Sequence, residues 1–154
     1  MYDELTMEDI NKMKEELDYR KKVIRPDLHE KILEAKENGD LSENADYREC
    51  RRAKGKNESR IEYLELMIKT AKIIKPKQNC ETVDYGSKIE VLFEDDNEIE
   101  TFEIATVVGQ DAQNGKISKN SPFGKAVWGH KVGDKVKVEV SSDNYYFITI
   151  KSII

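Results

Sequence analysis

Asn38-Gly39-Asp40-Leu41-Ser42 is the stretch that decides the architecture, because the sequence on either side of it repeats with the period of an α-helix. Before it, apolar or small side chains fall at Ile10, Met13, Leu17, Ile24, Leu28, Ile32 and Ala35. After it, a second stripe runs Cys50, Ala53, Asn57, Ile61, Leu64, Ile68 and Ala71. Steps of three and four, with one skipped turn between Leu17 and Ile24, set each stripe along one narrow helix face. The spacing predicts one helix between Leu5 and Glu37 and another from Ala45 to Ile74. Two such helices joined by a few residues can bury their stripes only against each other, which makes an antiparallel coiled-coil hairpin. Gly39 suits a left-handed cap on the first helix, and Asp40 or Ser42 suits the N-cap of the second. About 28 residues at 1.5 Å rise give a rod of roughly 40 Å, good for reaching and poor for enclosing a substrate. Pro26 lacks an amide, so it either kinks the first helix or breaks it near Arg25.

Beyond the second stripe, Lys75-Pro76-Lys77-Gln78-Asn79 ends the helical pattern, and the period then changes to two. Lys88–Phe93, Thr101–Val107, Lys135–Val140 and Tyr146–Ile150 read as strands, with turns at Asp95-Asp96-Asn97, Val132-Gly133-Asp134 and Ser142-Asp143-Asn144. Ser121–Gly129 holds a short helix packed on one sheet face. The predicted class is α+β: a hairpin over residues 1–75, a linker over 76–83 and a small antiparallel-sheet domain with one short helix over 84–154.

Composition supports an elongated part, since 38% hydrophobic residues against 37% charged is more charge than one compact globule of 154 residues carries. A net charge of −5 argues against coating nucleic acid by bulk electrostatics, so any RNA contact is local. There is no membrane-length apolar run, and Met1-Tyr2-Asp3-Glu4-Leu5 is acidic where a signal peptide is basic, so the chain reads as cytoplasmic. Cys50 and Cys80 lack metal-binding spacing and read as reduced thiols; His29 and His130 read as surface residues.

Asp40 and Glu43 stand three apart at the start of a helix, which admits two readings. One is a capping box. The other is a pair of metal-binding carboxylates at the far end of the rod, with Glu37 and Asp46 adding like charge that capping does not require. Behind them lies a basic run of Arg48, Arg51, Arg52, Lys54, Lys56 and Arg60, either a solvated helix face or a track for an RNA phosphate chain. The stripe beneath is weak: Cys50, Ala53 and Asn57 are small or polar, and Gly55 costs about 1 kcal/mol relative to Ala.

Arg25-Pro26, Glu34-Ala35, Gly39-Asp40-Leu41-Ser42-Glu43-Asn44-Ala45-Asp46-Tyr47, Glu58, Arg60-Ile61, Leu64-Glu65, Ala71, Asn120-Ser121-Pro122, Gly129 and Val132-Gly133-Asp134 resemble the Gre family of transcript cleavage and elongation factors. The resemblance covers nearly the whole chain and is most specific over residues 39–47. It implies a C-terminal domain similar to FK506-binding proteins (FKBP-like) that docks bacterial RNA polymerase at its secondary channel. The hairpin then inserts, and Asp40 and Glu43 help hold a Mg ion shared with the polymerase. Backtracked RNA is cut near its nascent 3′ end, and the factor itself is no enzyme. The resemblance further implies docking through Asn120, Ser121, Pro122 and Phe123; the basic run, read from its charge beside the acidic tip, gives Arg48, Arg51, Arg52, Lys54 and Lys56 as the expected RNA contacts, and the chain is expected to be a monomer. The basic Arg52 and Lys54 are similar to the GreB type, Leu41 to the GreA type.

Other readings compete. A channel regulator that binds without promoting cleavage would be expected to lack the tip pair, which is present here. A prolyl isomerase needs a concave aromatic pocket, whereas Phe93, Phe102, Phe123 and Trp128 serve equally as core. A coiled-coil chaperone gives no reason for an acidic tip before a basic shaft.

Overall fold

The structure, a computed structural model, describes residues 3–39, 44–76 and 81–154. Asp40, Leu41, Ser42, Glu43 and Cys80 lie outside the described residues. The chain divides into two units, one holding residues 8–71 and the other residues 4–7 with 72–154.

In the first unit, α1 (Met7–Tyr19) passes into a π-helical turn (Arg20–Ile24) and then α2 (Arg25–Glu37), and α3 (Ala45–Thr70) returns against them. Glu8 and Asp9 put negative charge in the first turn of α1, where the helix dipole favours it. Pro26 neither ends the helix nor breaks it. The Arg25 amide instead reaches back five residues to the Arg20 carbonyl. A proline ring would press on the carbonyl four residues earlier in an α-helix, and the wider π turn relieves that clash.

The stripes meet as expected, with one substitution. Ile10, Met13, Ile32, Ala35, Ile61, Leu64 and Met67 are buried, Met67 taking the place expected of Ile68. Between Met13 and Ile32 no apolar side chain of the first strip is fully buried, and polar groups hold that middle section. Asn57, 3% exposed, accepts from Arg20 Nη1 at 3.0 Å and donates to the Arg20 carbonyl at 3.5 Å. Glu16 receives Arg20 at 2.8 Å and Arg60 through two bonds of 2.9 and 3.0 Å. Arg25 donates Nε and Nη2 to Glu58 at 2.8 Å each, and Lys21 pairs with Glu65.

At the closed end the N-cap of α3 is Asn44, not Asp40 or Ser42 as the sequence suggested, because the helix begins only at Ala45. Its Oδ1 accepts the Tyr47 amide at 3.0 Å while its Nδ2 donates to the Ala35 carbonyl of α2 at 2.6 Å. One side chain therefore caps one helix and ties it to the other.

The second helix stops at Thr70, four residues short of the expected Ile74. Ala71 is extended, and β2 (Lys72–Ile73) pairs in parallel with β1 (Glu4–Leu5), Ile74 donating to the Leu5 carbonyl at 2.9 Å. Strand pairing overrides helix propensity here, and it buries Leu5 completely.

The rest of the second unit is a five-stranded sheet in the order β5-β4-β3-β7-β6, formed by β3 (Lys88–Phe93), β4 (Glu98–Ala105), β5 (Lys116–Ser118), β6 (Lys135–Ser141) and β7 (Asn144–Ile153). The antiparallel sheet is as expected; β5, which alternation did not reveal, adds a parallel edge to β4. The helix α4 (Pro122–Val127) lies between β5 and β6 in the chain. Phe123 and Val127 join Ile89, Val91, Ile104, Val138, Ile148 and Ile150 in one core. Gly124 permits this approach, since a Cβ there would stand 2.1 Å from the Ser118 carbonyl oxygen.

The polar seam and the Asn44 cap each predict an outcome. Glu16 titrates at about 2 against an ordinary 4.5, chiefly because Arg60 donates to its charged form, with Arg20 adding and partial burial opposing. A depressed carboxylate stabilises the fold fully above its unfolded value and loses that contribution as pH falls through the folded one. Urea midpoints of the native chain and Glu16→Gln should therefore differ at neutral pH and converge between about pH 4.5 and 2; a gap constant over that window would rule out a charge-based role. Replacing Asn44 by Ala should lower stability by about 1 kcal/mol or more, and Asn44→Asp, which keeps the cap but loses the donor to Ala35, should lose less in thermal unfolding.

Candidate functional site

The two carboxylates assigned to the hairpin tip, Asp40 and Glu43, fall outside the described residues, and Gly39 and Asn44 flank them. On one side α2 closes with the Asn38 amide donating to Ala35 at 3.3 Å, and Gly39 follows at φ +130°, a backbone that favours glycine. On the other stands Asn44. The Ala35 carbonyl thus accepts from both Asn38 and Asn44, using both of its lone pairs to draw the ends of the turn together. The cap and its amide partner are Asn44 and Tyr47, so an Asp40–Glu43 capping box would sit ahead of the start of α3. Glu37 and Asp46, on the two flanks, are exposed carboxylates. Among the described residues no group of three or more His, Cys, Asp or Glu could hold a metal ion.

Behind the turn, Arg48, Arg51, Arg52, Lys54 and Lys56 are all exposed on α3. At about 100° per residue, Arg48, Arg51, Arg52 and Lys56 fall within an arc of roughly 140° opposite the buried line of Asn57, Ile61 and Leu64. None of the five has an ion pair with a described residue. Lys54 is turned to the flank, where it lines a groove of about 620 Å³ with Arg25, Pro26, His29 and Glu58. Arg60 belongs elsewhere: its guanidinium is bonded to Glu16 and lies 5.1 Å from the Tyr63 ring centroid. Among the described residues the basic run therefore separates into four exposed cations on the outer arc, Lys54 on the flank near Glu58, and one structural arginine, Arg60.

The four residues assigned to docking also separate. Asn120 and Pro122 are exposed. Ser121 is half-buried and spent on the fold: its hydroxyl caps α4 by accepting from Gly124 at 3.0 Å and donates to the Ser118 carbonyl at 2.7 Å. Phe123, expected to offer a docking surface, is instead core. It is 7% exposed with its ring 4.9 Å from that of Phe102, because a helix beginning at Pro122 turns the next residue onto the sheet.

Sequence reasoning missed Lys119. Its ammonium sits 4.0 Å over the Trp128 ring and 5.2 Å from Tyr85, and 3.5 Å from Glu4 Oε2, which also accepts the Tyr85 hydroxyl at 2.8 Å. That hydroxyl holds Glu4 below the ordinary carboxylate range, Lys119 and Lys72 assisting and partial burial opposing. Burial first, then the bond to Glu4, pushes Tyr85 upward. Residues so far apart in sequence leave no local signal; the adjacency of Lys119 to Asn120-Ser121-Pro122 is the only hint.

Comparison with known proteins agrees with both units. The family described as "Transcription elongation factor, N-terminal" matches residues 4–73, and "Transcription elongation factor, GreA/GreB, C-term" matches residues 77–154. The chain is 36% identical over 150 residues to transcription elongation factor GreA of Acholeplasma laidlawii, covering 97% of this chain and 95% of that one. It is 43% identical over 137 residues to transcription elongation factor GreA of Thermoanaerobacter pseudethanolicus, covering 88% and 87%. Among solved structures, GreA factor homolog 1 of Thermus thermophilus is similar with a TM-score of 0.46 and 21% identity, over 100% of this chain and 99% of that one. With one family description covering each unit and relatives matched over nearly their full length, the chain belongs to the GreA/GreB family of transcription elongation factors.

Proposed function

We propose that this chain binds bacterial RNA polymerase through the secondary channel and stimulates the polymerase's own cleavage of backtracked RNA, rescuing arrested complexes. The observation that carries the reading is the division of labour at the closed end of the hairpin. Asn44 performs the capping and the cross-helix tie at the start of α3, and Arg48, Arg51, Arg52, Lys54 and Lys56 stand exposed on the helix behind it.

The donor set suits Mg²⁺. This ion takes about six oxygens in near-octahedral geometry, so Asp40 and Glu43 could complete a shell begun by polymerase carboxylates but could not hold the ion tightly alone. When bound, the ion lowers the pKa of coordinated water and steadies charge in an in-line phosphodiester displacement. The chain's own contribution is to bring two carboxylates to the reacting phosphate on a rod whose end is tied by Asn44. Arg48, Arg51, Arg52, Lys54 and Lys56 neutralise phosphates of the extruded RNA 3′ segment, a local contact compatible with a net charge of −5. Asn120 and Pro122 supply the exposed part of the docking loop. The factor is thus an accessory that lends part of an active site and is silent by itself.

The test is to add the factor to stalled, backtracked elongation complexes and follow labelled RNA. The native chain should shorten the RNA. Asp40→Asn or Glu43→Gln should slow cleavage by about a hundredfold while polymerase binding persists. Unchanged cleavage in both would sink the tip assignment, and a native chain that binds without cutting would identify a channel regulator instead. Arg52→Glu should raise the factor concentration needed for half-maximal cleavage and flatten its dependence on salt.

A further inference from the structure

α4 has six residues, too few to hold a helix by its own hydrogen bonds. It is bracketed by a contact between the residues on either side of it. Lys119 precedes its cap and Trp128 follows its last turn, and the Lys119 ammonium lies 4.0 Å from the centroid of the Trp128 ring. Tyr85 meets Trp128 edge-on at 4.8 Å, closing a second wall around the cation. Glu4 supplies the counter-charge, 3.5 Å from Lys119 and held by the Tyr85 hydroxyl at 2.8 Å, with Lys72 at 4.0 Å. The backbone beneath is also fixed: the Lys119 amide donates to Ala105 at 3.2 Å, and the Asn120 amide to the Ser118 hydroxyl at 3.1 Å. Lys119 is thus held at both its main chain and its charged end, and the exposed Asn120 and Pro122 follow within three residues.

We infer that Lys119 is a positioning residue: clasped by Trp128, Tyr85 and Glu4, it presets the loop carrying Asn120 and Pro122 in the shape that RNA polymerase receives. The inference rests on the docking reading given above. A loop already ordered before contact loses less conformational freedom on binding, so the clasp acts on affinity. It does not touch the reacting phosphate, so cleavage at saturating factor is set elsewhere. Glu4 belongs to β1, which lies in the same unit as Tyr85, Lys119 and Trp128.

Lys119→Met keeps most of the stem and removes the charge. It should raise the factor concentration for half-maximal cleavage by about tenfold, leaving the maximal rate unchanged. Lys119→Arg should restore affinity, since a guanidinium also stacks on an indole face. Trp128 is the only tryptophan, so its emission in the free factor reads the clasp directly and should shift in the Met variant and recover in the Arg variant. Asn120→Asp with Pro122→Ala tests the docking reading itself. If that double variant weakens binding while Lys119→Met does not, the inference alone falls; if neither weakens binding, both fall. A fall in maximal rate together with melting temperature in Lys119→Met would mark a merely structural residue and also overturn it.

Discussion

Asn57 lies 3% exposed in the seam of the hairpin, where a coiled coil would ordinarily place a leucine or isoleucine, and Arg20 meets its amide with both side chain and main chain. A buried amide left without partners costs about 1–3 kcal/mol, so the helices are held to the register in which Arg20 arrives opposite it. The π turn belongs to the same arrangement. The Arg20 carbonyl that receives Asn57 also receives the displaced Arg25 amide, and Pro26 one residue later explains that displacement. Everything distal depends on this register, because it decides which turn of α2 meets the start of α3. The tie from Asn44 to Ala35 is possible only when those turns coincide.

On either side of that polar centre the seam is apolar but uneven. Ile10, Met13, Ile61, Leu64 and Met67 pack the basal half, whereas among the described distal residues only Ile32 and Ala35 are buried, with Leu28, Cys50 and Ala53 half-buried. Burying a large apolar side chain stabilises by about 1.5–3 kcal/mol, so most cohesion comes from the base. The distal part has fewer such contacts and relies on polar ties, Arg25 to Glu58 and Asn44 to Ala35. Among the described residues, Arg48, Arg51, Arg52 and Lys56 on the outer face of α3 take no part in these ties.

In the second unit a comparable economy governs α4. Gly124 lets the helix approach the Ser118 carbonyl, Ser121 caps it, Phe123 and Val127 anchor it, and Lys119 with Trp128 brackets it. Once those roles are filled, Asn120 and Pro122 are what the loop offers outward. Of the four consecutive residues expected to dock, these two are the exposed ones, Ser121 being half-buried and Phe123 buried.

The hairpin and the sheet were legible in the sequence, because periods of 3.6 and 2 are written into neighbouring residues and each period permits burial on one face; the end of the second helix was not, since it stops at Thr70 rather than Ile74. The sequence also located the Gly39–Tyr47 stretch and the basic run, since charge and motif are local properties. Only the tertiary structure decided which members of those sets are spent. Arg60 and Arg52 are alike in sequence, yet Glu16, 44 residues from Arg60, engages one and not the other. Asp40, Ser42 and Asn44 are all good caps, and the choice fell to Asn44, whose amide also reaches α2. Lys72 and Ile73 continue a helical stripe, yet they pair with Glu4 and Leu5. The Lys119 clasp draws on four separated positions. Each is a long-range partnership, and the energy of a partner distant in the chain leaves no trace in local spacing.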